Sequence, residues 1–406
     1  MSKFFIALSG IIFLLFSCSS DALVGQPDNE SDEINESSIT VSNVKTFMVD
    51  QSAADQTAAL FYNLYKNAGS KILLGHQDAF YSYYQNDNSM SDVKKTTGSD
   101  PALIGLDFMF ITDKNYQQNP SNWFYQQEQK IISAAQQAYD KGMTVTFCWH
   151  LREPFSEEHF YTSEMTDSQK KNAFKSILPN GTNHFWYKQK LDKIASVVKN
   201  LKGSNSKTIP IIFRPFHEMD GNWFWWGSAY CTPEEYKELW QFTVHYLRDI
   251  KEVHNFLYAF SPDANFNSAA TYLERYPGDQ YVDILGMDNY LDFSSQTPSG
   301  ASAANSKLKI ISDLALQKNK IAALTETGYS SGNATPRIAH HFTSLLYPAI
   351  TNNNIKIAYV NFWSNTASQY YVPTLSSSFS TDFKNFSHAE KITLQNNIET
   401  PIYQFP

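Results

Sequence analysis

Eight short apolar runs, rich in β-branched and aromatic residues, recur along the chain: "ILLGHQD" (72–78), "ALIGLDFMF" (102–110), "TVTFCWH" (144–150), "IPIIFRPFHE" (209–218), "FLYAFSPD" (256–263), "VDILGMDNY" (282–290), "IAALTETG" (321–328) and "IKIAYVNFWSN" (355–365). Runs of this length and composition are strand-like. Between them lie longer helix-like segments such as "QQEQKIISAAQQAYDKG", "YKQKLDKIASVVKNLKG", "TPEEYKELWQFTVHYLRDIKEVH" and "SKLKIISDLALQKN". "TPEE" reads as a helix start, with Thr232 as N-cap and Pro233 in the first turn. Strands that alternate with helices pair in parallel through right-handed crossovers. Eight such units in roughly 350 residues predict a (β/α)8 TIM barrel serving as a single catalytic domain, with an open doubly wound sheet as the alternative.

The polar residues gather at the C-terminal ends of these runs: His76, Gln77 and Asp78; Asp107; His150; Arg214, His217 and Glu218; Asp263; Asp288, Asn289 and Tyr290; Glu326; Asn361, Trp363 and Asn365. In a parallel barrel all eight ends meet at one face, where active sites lie. Any one of these residues serves equally well as a strand-end cap. Their coincidence at one edge predicts a site.

The densest part of that edge is "RPFHEMDGNWFWWG", residues 214–227, which sets four charged or titratable groups among five large aromatics. Glu218 ends the fourth run and Glu326 lies near the end of the seventh, so the two face each other across the lumen. Strand alternation, with Thr325 and Thr327 pointing out, aims Glu326 inward. Carboxyls about 5 to 5.5 Å apart suit retaining glycoside hydrolysis, and a wider gap suits inversion. Aromatics at 216 and 223–226 would dry Glu218 and favour its protonated form, while a bond from Arg214 or Tyr290 would keep Glu326 ionised. A structural ion pair is the alternative for both glutamates. Rings at Trp186, Trp223 and Trp363 suit stacking on sugars, and His150, His217 and Asp288 suit bonds to hydroxyls; Trp225 and Trp226 suit packing beneath the loop.

Formal net charge is −8 and lysines and arginines never cluster, which excludes a nucleic-acid footprint. Neither metal-ligand spacing nor a phosphate-binding glycine motif is present, so no metal or cofactor is expected. The N-terminus "MSKFFIALSGIIFLLFSCSS" reads as a secretory signal, and "LFSC" resembles a bacterial lipoprotein cleavage box in which Cys18 becomes lipidated. The expected organisation is a signal peptide at 1–18, a polar tether at 19–45 and the barrel at 46–406. This describes an exported protein lipid-anchored to the outer membrane, with its side of the membrane left open. Cys148 and Cys231 remain beyond the signal and allow one disulfide at most. Residues 155–184 form a long insertion after the third run, suited to walling a cleft or covering the barrel.

The stretch at 214–227, together with "LTETG", "MDNY" and "CWH", resembles glycoside hydrolase family 26 from about residue 50 to the C-terminus. The resemblance implies a retaining β-1,4-mannanase acting on mannan, glucomannan or galactomannan, with Glu218 as acid/base and Glu326 as nucleophile. It further implies that His217 and Trp223 shape the sugar subsite at the scissile bond. His150, Trp186, Asp288 and Tyr290 would line the same cleft, with Trp363 as an aromatic floor. Ser364 stands where some members carry an arginine. A β-glucanase or xylanase of the same family, or a non-catalytic glycan-binding lipoprotein, are the alternatives. Neither internal cleavage nor mannobiose release is favoured by the sequence.

Overall fold

The computed structural model describes residues 39–332 and 338–406. The expected signal peptide, the lipidation site Cys18 and the tether up to residue 38 lie outside the described residues. Eight parallel strands close into a barrel: β1 (Ile72–Gln77), β2 (Leu103–Asp107), β3 (Thr144–Cys148), β4 (Ile211–Arg214), β5 (Phe256–Phe260), β6 (Ile284–Asn289), β7 (Ile321–Thr327) and β8 (Tyr359–Phe362). Each pairs with the next, and β1 pairs with both β8 and β2, which completes the ring. Every residue of these strands is buried, because the lumen packs one face and the helical layer the other.

The predicted runs reach further than the strands do. Polar or proline-containing tails such as "PFHE" and "SPD" leave the ladder early, since proline offers no N–H and the rim side chains bond across strands rather than along them. The sequence reading also missed β9 (Ile392–Thr393), a two-residue strand beside the start of β1. The helix over Pro233–His245 begins as expected, with a capping box between Thr232 and Glu235. Within the lumen, Gly105 leaves room for the amide of Gln77, whose oxygen would lie 1.9 Å from any added Cβ.

One compact unit spans Ile39–Pro406. It therefore begins ahead of the expected boundary at 46: Ile39 and Val44 are buried, Lys320 donates to the Phe47 carbonyl at 2.8 Å, and Val49 N–H to Asp283 at 2.8 Å. Two residues of the expected tether, Ile39 and Val44, are thus packed into the folded unit. Cys148 and Cys231 are both buried free thiols.

Candidate active site

β4 stops at Arg214, and Pro215 ends its ladder. Four residues later the chain presents Glu218, with Phe216 at φ 50° and Glu218 at φ 54°, a left-handed backbone that costs a non-glycine residue about 1 kcal/mol or more. Five hydrogen bonds hold this loop. Glu218 N–H donates to the Ser261 carbonyl at 2.9 Å, the Tyr236 hydroxyl to Phe216 O at 3.0 Å, and the Trp226 indole to His217 O at 2.7 Å. Asp220 accepts from the backbone N–H of Asp263 at 2.6 Å and of Asn265 at 3.1 Å. Glu218 therefore sits on a pinned turn rather than on the strand end that its sequence suggested.

Arg214 binds the opposite side of the site together. Its guanidinium donates to Asp288 at 2.6 Å, to Ser261 Oγ at 3.0 Å, and to Glu326. Tyr290 donates its hydroxyl to the other oxygen of Glu326 at 3.0 Å, so both partners proposed from sequence bond that carboxylate. The alternation argument for Glu326 meets a complication. Met287 pairs with Leu324 but Asp288 with Glu326, so Thr325 is an extra residue in β7 and the strand bulges there. Thr325 donates to Asp288 at 2.7 Å instead of pointing away, and the bulge re-aims Glu326.

A second group stands beside the first. Asp107 holds His150 Nδ1 at 2.6 Å, and His150 Nε2 lies 3.3 Å from His217 Nε2. Phe224 and Trp363 pack edge-on against the His150 ring. Trp223, 37% exposed, donates its indole N–H to Glu218 at 2.5 Å. The other aromatics of the motif do different work: Trp225 and Trp226 are fully buried and Phe216 faces the core, so only Trp223 bonds to the glutamate. The insertion reaches the same place. Thr162 N–H donates to Trp223 O at 2.7 Å, and the Tyr161 ring stacks on Phe224 at 5.4 Å. Tyr161 and Ser261 escaped the sequence reading, and Asp220 was counted among the charges of 214–227 without a role; Tyr161 lies inside an irregular insertion where no periodicity marks it. The Trp186 indole N–H makes no hydrogen bond to these groups. Its ring lies 5.2 Å from the Lys190 ammonium, in a pocket lined by Thr112, Asp113, Leu151 and Glu157.

Burial pushes the Glu218 carboxyl well above its ordinary range, and the charges of Asp288, Glu326 and Asp263 push the same way, against the Trp223 bond. Burial, with Arg214 beside it, keeps His217 neutral. Burial also raises Asp220 to about 7 and Asp263 to about 6. His217, Asp288 and Glu326 each bring one ligand-type atom within 4.8 Å of the others. A cation there would meet the Arg214 charge already bonded to both carboxylates, so the donor set suits an internal ion pair better than a metal. The assembled site offers a carboxyl biased towards its acid form, and a carboxylate fixed by two donors.

The profile of Glycosyl hydrolase family 26 matches residues 49–376. A mannan endo-1,4-beta-mannosidase of Bifidobacterium adolescentis is 34% identical over 355 residues, which is 84% of this chain and 35% of that protein. The chain thus spans about a third of that relative's length. Among solved structures, GH26C from Muricauda sp. MAR_2010_75 superposes with a TM-score of 0.90 at 51% identity, covering 91% of this chain and 99% of that one. A modular endo-beta-1,4-mannanase from Cellulomonas fimi gives a TM-score of 0.80 at 31% identity, covering 88% of this chain and 79% of its own.

Proposed function

The chain belongs to glycosyl hydrolase family 26, and from that premise we propose that it cleaves β-1,4-mannosidic bonds in mannan, glucomannan or galactomannan with retention of configuration. The observation that carries this reading is the unequal treatment of two glutamates in one rim: Glu218 dried and bonded by Trp223, Glu326 held by Arg214 and Tyr290. In the first step a Glu326 oxygen attacks the anomeric carbon as the glycosidic C–O bond breaks, and Glu218 gives its proton to the leaving oxygen. In the second, Glu218, now a carboxylate, takes a proton from water. The hydroxide oxygen bonds to the anomeric carbon, and Glu326 leaves as carboxylate.

The surrounding residues orient the sugar. Neutral His217 and the Asp107-bound His150 present nitrogens to hydroxyls, and Trp223 and Trp363 supply flat apolar surface for ring faces. Asp288 helps to fix Arg214, and through it Glu326. The support for mannan comes from the names of relatives at 34% and 31% identity.

The test uses Glu218→Ala and Glu326→Ala on unbranched mannan. Each variant is expected to lose activity by roughly three orders of magnitude or more while keeping the wild-type circular dichroism. Proton NMR of the first product should show the β-anomer. Undiminished hydrolysis by either variant, or an initial α-anomer, would overturn the assignment.

We propose that Cys18 ends a lipoprotein signal and tethers the barrel to the outer membrane, a reading that rests on the "LFSC" box and the polar stretch after it.

A further inference from the structure

Beside the two glutamates, the ends of β2 and β3 bring together a sulfur, an imidazole and a carboxylate. Asp107 is the last residue of β2 and pairs in register with Cys148, the last residue of β3. His150 follows Cys148 by two positions and turns to the same side. The Cys148 sulfur lies 3.9 Å from His150 Nδ1, and that nitrogen lies 2.6 Å from Asp107 Oδ2. One ligand-type atom of each residue falls within 4.8 Å of the others. Spacing along the chain does not show this set, because its carboxylate comes from the neighbouring strand.

The three side chains are held before any ligand arrives. The other oxygen of Asp107 accepts from Met109 N–H at 2.8 Å and from His150 N–H at 3.2 Å. The Cys148 thiol donates to Leu106 O at 3.5 Å, and Gln77 Nε2 stands 3.9 Å from the sulfur. All three residues are buried, but 11% of the Asp107 side chain stays exposed, so the group is reached from the cleft. It differs in charge from His217, Asp288 and Glu326. There Arg214 already pairs with both carboxylates, whereas among the described residues no lysine or arginine pairs with Asp107.

A thiolate, an imidazole nitrogen and a carboxylate form a borderline-soft donor set, which favours zinc over calcium or magnesium. Zinc takes these donors at about 2.0 to 2.3 Å in a tetrahedron, which sets them about 3.4 to 3.6 Å apart. Seating the ion therefore opens the Asp107–His150 contact by less than about 1 Å and draws the sulfur in by less than that. We propose that Asp107, Cys148 and His150 form a zinc-binding site, with water as the fourth donor, and that zinc bound there inhibits the enzyme. Burial and the Asp107 charge keep the Cys148 thiol protonated in the free protein, so binding releases that proton to water. The proton of His150 Nδ1 passes to Nε2, and no electron is transferred. Nε2, which lies 3.3 Å from His217 Nε2, then no longer accepts from a sugar hydroxyl, and the ring is tied to the metal. The inhibition rests on the mannanase reading above; the site does not.

The test titrates Zn2+ into the full-length wild type and Cys148→Ser by calorimetry, and records absorption spectra of both proteins loaded with Co2+ in place of zinc. The wild type is expected to bind zinc on the order of tenfold or more tightly than Cys148→Ser. Co2+ in the wild type should give a thiolate-to-metal charge-transfer band that Cys148→Ser lacks. Cys18 and Cys231 remain in the variant, so the difference reports Cys148. Equal zinc affinity in the two proteins, or a wild-type cobalt spectrum without the band, would overturn the site, and the second readout needs no variant to fold. Zinc should also slow mannan hydrolysis by the wild type, with a chelator restoring it, and Cys148→Ser should need roughly tenfold more zinc for the same loss. Full hydrolysis by zinc-loaded wild type would overturn the inhibition. If the wild type cleaves no mannan, only the mannanase reading falls, since calorimetry and spectra still decide the site.

Discussion

At the scale of single residues, the site depends on what surrounds Glu218 more than on Glu218 itself. Burial comes first and the charges of Asp288, Glu326 and Asp263 follow in raising its carboxyl. Asp263 itself is raised to about 6, so its charge is present above that pH. A general acid works only while protonated, so activity falls as pH rises through its pKa. Removing one raising charge lowers that pKa and brings the fall to lower pH. Asp263→Asn, which keeps an oxygen to accept from Asn265, should therefore move the basic limb of the kcat/KM profile down by about 0.5 pH unit and leave the acidic limb in place. A basic limb that stayed put or moved upward would show that Asp263 does not act on the acid. Much of this pairing was legible in sequence: Arg214 and Tyr290 were expected at Glu326, and both bond to it. Asp220 was not, because its partners are backbone N–H groups 43 and 45 positions away, which no side-chain pattern reveals.

At the scale of elements, the strands were readable and their ends were not. Continuous apolar runs identify strands buried on both faces, but a polar tail at a strand end reads the same whether it continues the ladder or leaves it. For β4 the tail becomes a turn with two left-handed residues, and for β7 the strand bulges at Thr325, an event with no sequence mark of its own. Trp186 illustrates the same limit, since its motif lies at the start of a helix whose docking against the β2 loop is a tertiary matter. The turn after β4 makes one demand that is testable. Gly221 lies under the Trp223 ring, and an added Cβ would stand 2.3 Å from its Cη2 atom. Real Cβ contacts do not come so close, so Gly221→Ala must displace the indole that bonds Glu218. We expect kcat/KM on mannan to fall on the order of tenfold or more, with a smaller proportional change in stability because Trp223 lies partly in solvent. Wild-type kinetics in a folded Gly221→Ala protein would mean that the indole position does not matter.

For the whole molecule, the eightfold alternation was enough to identify the barrel, because few other arrangements bury eight parallel strands on both faces. It could not locate the N-terminal boundary. Ile39 and Val44 belong to the folded unit although their neighbours are polar. The proposed anchor predicts where the full chain resides in a bacterial host. Wild type should fractionate with membranes and take up labelled palmitate, and Cys18→Ser should abolish the labelling and release the enzyme with its mannan activity intact. Palmitate uptake by Cys18→Ser would mean that the lipid is attached elsewhere.

The two buried thiols carry a consequence of a different kind. Cys148 points its sulfur at Leu106 O, and Cys231 lies beside Arg275, so neither needs a covalent partner to complete its surroundings. The barrel therefore holds no bond whose formation depends on an oxidant. Its native state is the same on the reducing and the oxidising side of a membrane, and neither disulfide catalysts nor thiol reductants set the rate at which it is reached.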